Sequence, residues 1–276
     1  MNNAKIYQAP EGIDMINNGI TYGKQTELEY DSKTTGGKRQ CYIYTPPNYD
    51  SAAIYPVLYL LHCGGETYSG WLHNGAANEI ISNSIARGEA KPMIVVMPNV
   101  EASHIDNPPQ NFDEQIAAYE NFINDLRDDL MPFIKERYPV SAKREQCAIA
   151  GASLGGREAL FIGIKMPEIF GYLGGFSPSP GLLPKMYKLD KGLGKVTPEE
   201  MTFPEAYKDK TFILMCSGKR EEENVGIVPI LMNDVVIAYQ KAFKSNGVKS
   251  ENYITEGGHD YRAWKTALYH FVKQIF

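Results

Sequence analysis

The sequence predicts an α/β fold with a mostly parallel, doubly wound sheet and helices on both of its faces. Continuous apolar runs predict strands that are buried on both faces, as strands of parallel sheets are. These runs are YPVLYLL (55–61), MIVVMP (93–98), CAIAGAS (147–153), YLGGFS (172–177) and TFILMCSG (211–218). Segments with helical periodicity lie between them, and strands that alternate with helices imply right-handed crossovers and a parallel sheet. Active sites in such sheets form beyond the carboxyl ends of the strands.

The individual elements follow from local patterns. Residues 20–48 alternate polar and apolar side chains around the turn-forming TTGGK, which predicts an antiparallel hairpin at an edge of the sheet. An apolar stripe at three- and four-residue steps predicts a helix over 113–137. Similar stripes predict helices over 76–87, 155–170, 229–245 and 261–275, and ENYIT (251–255) reads as a strand before the last helix.

Length and charge limit the classes of protein. The 276 residues contain no repeat, low-complexity tract or Ser/Pro-rich linker, so we expect one domain over 1–276, with 1–19 as an N-terminal extension. The net charge of −5 argues against a nucleic acid or an anionic membrane as partner, because such surfaces need clustered Lys and Arg. No apolar run reaches the roughly 20 residues of a membrane span. The oligomeric state stays open.

Cysteine usage and the N-terminus bear on the cellular compartment. Three of the four cysteines (Cys41, Cys63, Cys147 and Cys216) adjoin or lie within apolar runs, so most are expected to be buried core residues. No Cys/His spacing indicates zinc. The N-terminal MNNAKIYQAPEGID lacks the basic and apolar regions of a signal peptide. Either the protein stays in the cytoplasm, or a signal was removed and a start Met added.

Ser153 is the candidate nucleophile. Residues 151–156 read GASLGG, a G-x-S-x-G pattern between a buried strand and an amphipathic helix. A serine at this sharp turn has a strained backbone, so its neighbours two residues away must be small. The helix that follows places free N–H groups and a positive dipole end near developing negative charge. The alternative is a glycine-rich turn with an incidental serine.

His259 is the candidate general base. A serine hydroxyl is a poor nucleophile and needs an adjacent base. In α/β-hydrolases the chain order is serine, acid, histidine, which leaves His259 and His270 after Ser153. His259 lies in the Gly-rich loop EGGHDY at a strand end, where catalytic groups belong, whereas His270 lies inside the helical ALYHFVKQ.

The acid of the triad should follow the strand TFILMCSG, where the chain reads KREEEN (219–224) and has no aspartate. A glutamate can also orient the imidazole and stabilise its cation. Glu221 is the first choice, Glu222 and Glu223 are close alternatives, and Asp234 is a distant one. At least two of the three glutamates are expected to be solvated surface charges.

An oxyanion hole requires preorganised N–H donors. One donor should be the amide of Leu154, directly after the nucleophile. The second should come from the loop HCGG (62–65), where the Gly64 amide is favoured and the Cys63 amide is the alternative. The preceding His62 is expected to make structural hydrogen bonds.

Taken together, the chain resembles the esterase D-like carbohydrate esterases, which include feruloyl (cinnamoyl) esterases and some acetylxylan esterases. The matching stretches are YIYTPPNYD, YPVLYLLHCGG followed by Trp71, KPMIVVMPN, YENFINDLRDDLMPFIKERY, AIAGASLGG and GGHDYRAWKTALYHF. The resemblance implies an α/β-hydrolase fold, Ser153 as nucleophile, His259 as base, and the Gly64 and Leu154 amides as the oxyanion hole. The chain departs from the family where KREEE replaces the usual aspartate, where NVGIVPILMN looks longer than usual, and where His-Cys replaces His-Gly.

The resemblance also implies a substrate. It implies hydrolysis, through an acyl-enzyme, of hydroxycinnamoyl esters of plant cell-wall arabinoxylan or of a small aryl ester. The enzyme would be secreted and would need no cofactor and no metal. The alternatives are an acetylxylan esterase, a thioesterase acting on S-formylglutathione, an acyltransferase with a sugar acceptor, and a non-catalytic carbohydrate-binding homologue.

A flat aromatic acid needs a pocket lined by apolar and aromatic side chains. Trp264 and Tyr261 are candidate substrate contacts because they follow His259 closely, and Cys63, Gly65 and Tyr68 are candidates because they follow the strand before the oxyanion loop. For the aromatic residues, packing in the core is the alternative.

Overall fold

The structure is a computed structural model that describes residues 6–184, 195–221 and 232–276. In this part of the chain, nine strands form one sheet. The strands are β1 (Ile6–Tyr7), β2 (Lys24–Ser32), β3 (Gly37–Thr45), β4 (Val57–Leu61), β5 (Ile94–Pro98), β6 (Cys147–Ala152), β7 (Tyr172–Phe176), β8 (Phe212–Gly218) and β9 (Glu251–Thr255). Their order is β1-β9-β8-β7-β6-β4-β5-β3-β2. The β2–β3 and β3–β5 pairs are antiparallel, and the pairs from β5 across to β1 are parallel.

Helices cover both faces of this sheet. They are α1 (Gly70–His73), α2 (Ala77–Ala86), α3 (Phe112–Asp125), α4 (Met131–Arg137), α5 (Leu154–Lys165), α6 (Glu205–Lys208), α7 (Met232–Ser245) and α8 (Tyr261–Val272). A π-helical turn (Leu126–Leu130) joins α3 to α4, and 3₁₀ turns lie at Arg144–Gln146 and Pro198–Glu200. Apolar residues of α1, α2 and α8 pack on one face, and those of α3, α4, α5 and α7 pack on the other.

The strand β4 shows why the central runs are apolar throughout. Its residues Val57, Tyr59 and Leu61 join one hydrophobic cluster, whereas Leu58 and Leu60 join the cluster on the opposite face. Both faces are therefore buried, and each fully buried side chain of this size contributes about 1.5–3 kcal/mol. This arrangement confirms the predicted doubly wound sheet with an antiparallel hairpin at its edge.

Two local features differ from the predictions, and the start of a third predicted element lies outside the described residues. The predicted helix over 155–170 ends at Lys165, because the α conformation is disfavoured for Met166, which precedes a proline. Part of the predicted N-terminal extension packs on the fold: β1 pairs with β9, and Asn83 Nδ2 donates to the carbonyls of Ile13 and Met15. The predicted helix over 229–245 begins outside the described residues.

The parallel strands carry their carboxyl ends to one edge of the sheet. The segments that follow β4, β6, β7, β8 and β9 at that edge begin at residues 62, 153, 177, 219 and 256.

All four cysteines are buried and reduced, as expected for core residues. Among the described residues, no helix is both long enough and apolar enough to cross a membrane.

Candidate active site

Ser153 lies on a strained turn between β6 and α5. Its backbone angles are φ 55° and ψ −118°, a conformation that costs a non-glycine residue about 1–3 kcal/mol. The turn can close because its neighbours are glycines: a Cβ at Gly151 would lie 2.6 Å from the backbone of Gly155, and one at Gly155 would collide with the carbonyl oxygen of His62. The Ser153 N–H donates to the Phe176 carbonyl at 2.9 Å, so β7 also fixes the position of the serine.

His259 is in hydrogen-bonding contact with this serine. Its Nε2 lies 2.8 Å from Ser153 Oγ. The Asp260 side chain accepts from two N–H groups of the first turn of α8, which fixes where the helix begins, directly after the histidine. The Trp264 indole packs edge-on against the imidazole with ring centroids 5.2 Å apart, and its Nε1–H donates to Ser177 Oγ at 3.0 Å. The sequence and the structure therefore agree that these two side chains meet.

Glu221 lies on the other side of the imidazole. Its carboxylate is buried, and Oε1 accepts from the Gly218 N–H at 2.7 Å and from the Ser177 hydroxyl. Oε2 lies 3.7 Å from His259 Nδ1, and neither atom has a hydrogen-bond partner among the described residues. A shift of under about 1 Å would bring the two atoms to hydrogen-bonding distance, and the role of Glu221 as the acid of the triad stays a prediction.

Of the three alternative acids, Asp234 alone lies among the described residues. Glu222 and Glu223 lie outside the described residues. Asp234 lies in the first turn of α7, and no contact found within the described residues joins it to His259. Of the described candidates, Glu221 is the one that reaches the imidazole.

The two candidate oxyanion donors are adjacent. Leu154 is the first residue of α5, so its N–H is one of the four that a helix leaves without an internal partner. A Cβ on Gly64 would lie 2.8 Å from Leu154 Cδ1. The Cys63 carbonyl accepts from Tyr119 Oη at 3.0 Å and from His62 Nδ1 at 2.8 Å. Because the peptide group is planar and trans, the Gly64 N–H points away from these buried partners, which favours Gly64 over Cys63 as donor.

Two of the predicted substrate contacts have little surface for a ligand. The Trp264 side chain is 3% exposed and packs behind His259, and Cys63 is 8% exposed. Burial raises the pKa of the Cys63 thiol to about 12. Low exposure counts against direct contact of these two side chains with a substrate, and their contact stays a prediction. Trp264 packs against His259, and the Cys63 carbonyl accepts hydrogen bonds within the oxyanion loop.

The other three predicted contacts remain at the surface. Tyr261 is half-buried, and its hydroxyl donates to Glu66. Tyr68 is half-buried, and its hydroxyl donates to Glu27 Oε1 at 2.7 Å. Gly65 is exposed and has a φ of 77°, a conformation that suits glycine. Their contact with substrate stays a prediction.

Two serines after β7 belong to the site, although the sequence did not predict them. Ser177 is fully buried, with a φ of 46°, and its hydroxyl joins Trp264 to Glu221. Ser179 Oγ lies 3.2 Å from Ser153 Oγ. The signal that could have found them is their place in FSPSP (176–180), directly beyond the carboxyl end of a buried strand.

Residues 32–275 match the model of a family described as "Putative esterase". Among curated proteins, the chain is 30% identical over 263 residues to an "Endo-1,4-beta-xylanase/feruloyl esterase" of Xylanibacter ruminicola. The match covers 93% of this chain but 32% of that protein, so the chain spans about a third of the length of this relative.

Solved structures of a ferulic acid esterase and of a feruloyl esterase module are also similar to this chain. A CE1 ferulic acid esterase from Anaeromyces mucronatus, in complex with ferulic acid, matches with a TM-score of 0.85 and 28% identity, over 97% of this chain and 96% of that one. A feruloyl esterase module from Clostridium thermocellum, complexed with sinapinate, has a TM-score of 0.73 at 17% identity, over 99% of this chain and 94% of that one. The second match shows the shared fold.

Proposed function

This chain belongs to the Putative esterase family, among the esterase D-like carbohydrate esterases, and from this membership we propose that it is a serine carboxylesterase acting on feruloyl esters. The observation that carries the proposal is the 2.8 Å contact between Ser153 Oγ and His259 Nε2 at the carboxyl edge of the sheet. The structural relative that was solved with ferulic acid shares 28% of its residues with this chain over nearly its whole length, which supports the acyl group.

The mechanism assigns one role to each group. His259 Nε2 takes the proton from Ser153 Oγ as Oγ bonds to the ester carbonyl carbon, and Glu221 stabilises the imidazolium through Nδ1–H. The carbonyl oxygen, now an oxyanion, accepts from the Gly64 and Leu154 amides. When the tetrahedral intermediate collapses, Nε2–H protonates the departing alcohol and the feruloyl group stays on Ser153.

Deacylation repeats these steps with water. His259 removes a proton from the water as the water oxygen bonds to the acyl carbon. This addition gives a second tetrahedral intermediate with an oxyanion. The bond to Ser153 Oγ then breaks, Oγ recovers its proton from Nε2, and ferulate is released. Apart from the ester and water, these steps use only this chain's own side chains and amides.

The polymeric substrate that we propose is feruloylated xylan, with the chain acting as a single catalytic domain. A curated relative that combines xylanase and feruloyl esterase in one name supports this substrate. A polymer of the plant cell wall lies outside the cell, so secretion follows from the same proposal. Tyr261, Tyr68 and Gly65 are the predicted contacts with the substrate.

The test is turnover of methyl ferulate, p-nitrophenyl acetate and S-formylglutathione by the purified protein and by Ser153→Ala. We expect ferulate release by the protein and its loss in the variant. Equal activity in Ser153→Ala would contradict the mechanism. Fast release of acetate without release of ferulate would contradict the acyl group alone, and preference for the thioester would redirect the proposal to S-formylglutathione.

A further inference from the structure

The oxyanion loop (residues 62–65) is hydrogen-bonded to a buried tyrosine that has no direct part in the proposed hydrolysis. Tyr119, in α3, is 1% exposed. Its hydroxyl donates to the Cys63 carbonyl at 3.0 Å. The hydroxyl therefore holds the peptide group that carries the Gly64 N–H.

His62 holds the same carbonyl from a second direction. The Val100 N–H donates to His62 Nε2 at 2.9 Å, and Nε2 also contacts the Asn99 side-chain amide at 3.1 Å. Because a carbonyl oxygen can only accept, the contact of Nδ1 with the Cys63 carbonyl requires the proton on Nδ1. Nδ1–H then donates to the Cys63 carbonyl at 2.8 Å. Burial lowers the pKa of His62, which keeps the ring neutral and preserves this arrangement.

The partner of His62 is itself fixed by a buried ion pair. Arg39 on β3 pairs with Asp125 at the end of α3, with 3.1 Å between Nε and Oδ2. The same guanidinium donates to the carbonyls of Asn99 and Glu101, which flank Val100. The Val100 N–H is thus held in the direction that His62 requires.

We propose that Tyr119 and His62 are positioning residues for the oxyanion hole: together they fix the Cys63–Gly64 peptide so that the Gly64 N–H is aimed at the developing oxyanion. A preorganised donor stabilises the transition state because no reorientation is needed when the charge forms. The inference rests on the proposed ester hydrolysis through Ser153, but not on the identity of the acyl group.

The test compares Tyr119→Phe with Tyr44→Phe. The first removes the hydroxyl at the oxyanion loop. The second removes an equally buried hydroxyl that contacts Ser82 Oγ at 3.1 Å in the hydrophobic cluster on the other face of the sheet. For each variant, kcat and KM for p-nitrophenyl acetate are measured, together with Ki for an aryl trifluoromethyl ketone. Addition of Ser153 Oγ to the ketone carbonyl gives a tetrahedral adduct that carries an oxyanion.

For Tyr119→Phe we expect kcat to fall about 10-fold with KM unchanged, since misdirecting one donor should cost less than the roughly 100- to 1,000-fold loss on removing it. Ki for the ketone should rise by the same factor. Tyr44→Phe should change neither quantity. Equal losses in the two variants, or an unchanged Ki beside a lowered kcat, would overturn the inference.

A double-mutant cycle with His62→Gln gives an independent readout. Because both side chains act through the Cys63 carbonyl, their effects on kcat should not be additive, and full additivity would contradict a shared role. If His62→Gln does not fold, the comparison of the two tyrosine variants decides the question. Failure of the unmodified protein to form the ketone adduct would overturn the proposed function, and the positioning role with it.

Discussion

Replacing Glu221 by glutamine separates the charge of this side chain from its packing. The retained oxygen can still accept from the Gly218 N–H and the Ser177 hydroxyl, which now bond to Oε1. An NH₂ group would replace Oε2, which lies 3.7 Å from His259 Nδ1. Two donors would then face each other, and the imidazole would move its proton to Nε2. In that tautomer His259 cannot accept the proton of Ser153.

The size of the effect follows from this tautomer change. In serine protease triads the corresponding Asp→Asn change lowers kcat by about 10⁴-fold. We expect a loss of about 10³-fold here, or roughly 4 kcal/mol of transition-state stabilisation, because the contact to Nδ1 is longer than a hydrogen bond. The free energy of unfolding should change by less than about 1 kcal/mol, since both hydrogen bonds to Oε1 are kept.

The assay is kcat for methyl ferulate beside the midpoint of thermal unfolding. Glu222→Gln and Glu223→Gln serve as matched variants of the neighbouring glutamates, and we expect kcat to change little in either. An activity of Glu221→Gln within about twofold of the unmodified protein, or a larger loss in one of the two neighbouring variants, would rule out Glu221 as the acid of the triad.

Three further perturbations test the surroundings of the triad. Ser177→Ala removes a donor to Glu221 and leaves the indole N–H of Trp264 unpaired. We therefore expect kcat to fall and the free energy of unfolding, measured by thermal unfolding, to fall by about 1–3 kcal/mol. An unchanged kcat would rule out a role for this serine in the site. Gly155→Ala places a methyl group against the carbonyl of His62 and should cost about 1–3 kcal/mol in denaturant unfolding; an unaffected stability would show that the turn tolerates a side chain. The lowered pKa of His62 means that the unfolded chain binds a proton that the folded one excludes, so stability should fall as the pH drops below about 6.5. His62→Gln should flatten this dependence, whereas His73→Gln, at an exposed histidine, should not.

The fold could be predicted largely because burial on both faces leaves a strong signal in sequence. Runs such as CAIAGA (147–152) contain no polar side chain, and the alternation in 20–48 distinguishes the edge hairpin from the central strands. The π turn (Leu126–Leu130) could not be predicted, because its side chains continue the apolar stripe of α3 and the irregularity lies in backbone hydrogen bonds.

The candidate site was predictable only in part, because local patterns identify some of its residues whereas other contacts join segments that are distant in sequence. Ser153 and His259 lie in short glycine-rich patterns whose local geometry restricts the residue types. The bridge from Trp264 through Ser177 to Glu221 joins three separate segments, and no local pattern encodes which side chains meet at strand ends. The position of Trp264 after His259 likewise does not reveal which way its ring points.

In the proposed mechanism Ser153 carries the feruloyl group during turnover. The direct measurement is intact-protein mass spectrometry after a rapid acid quench of the reaction with an activated feruloyl ester, followed by peptide mapping. We expect an added mass of one feruloyl group on the peptide that contains Ser153, and no adduct in Ser153→Ala. Turnover without any adduct at Ser153, or an adduct on another residue, would contradict the proposed mechanism.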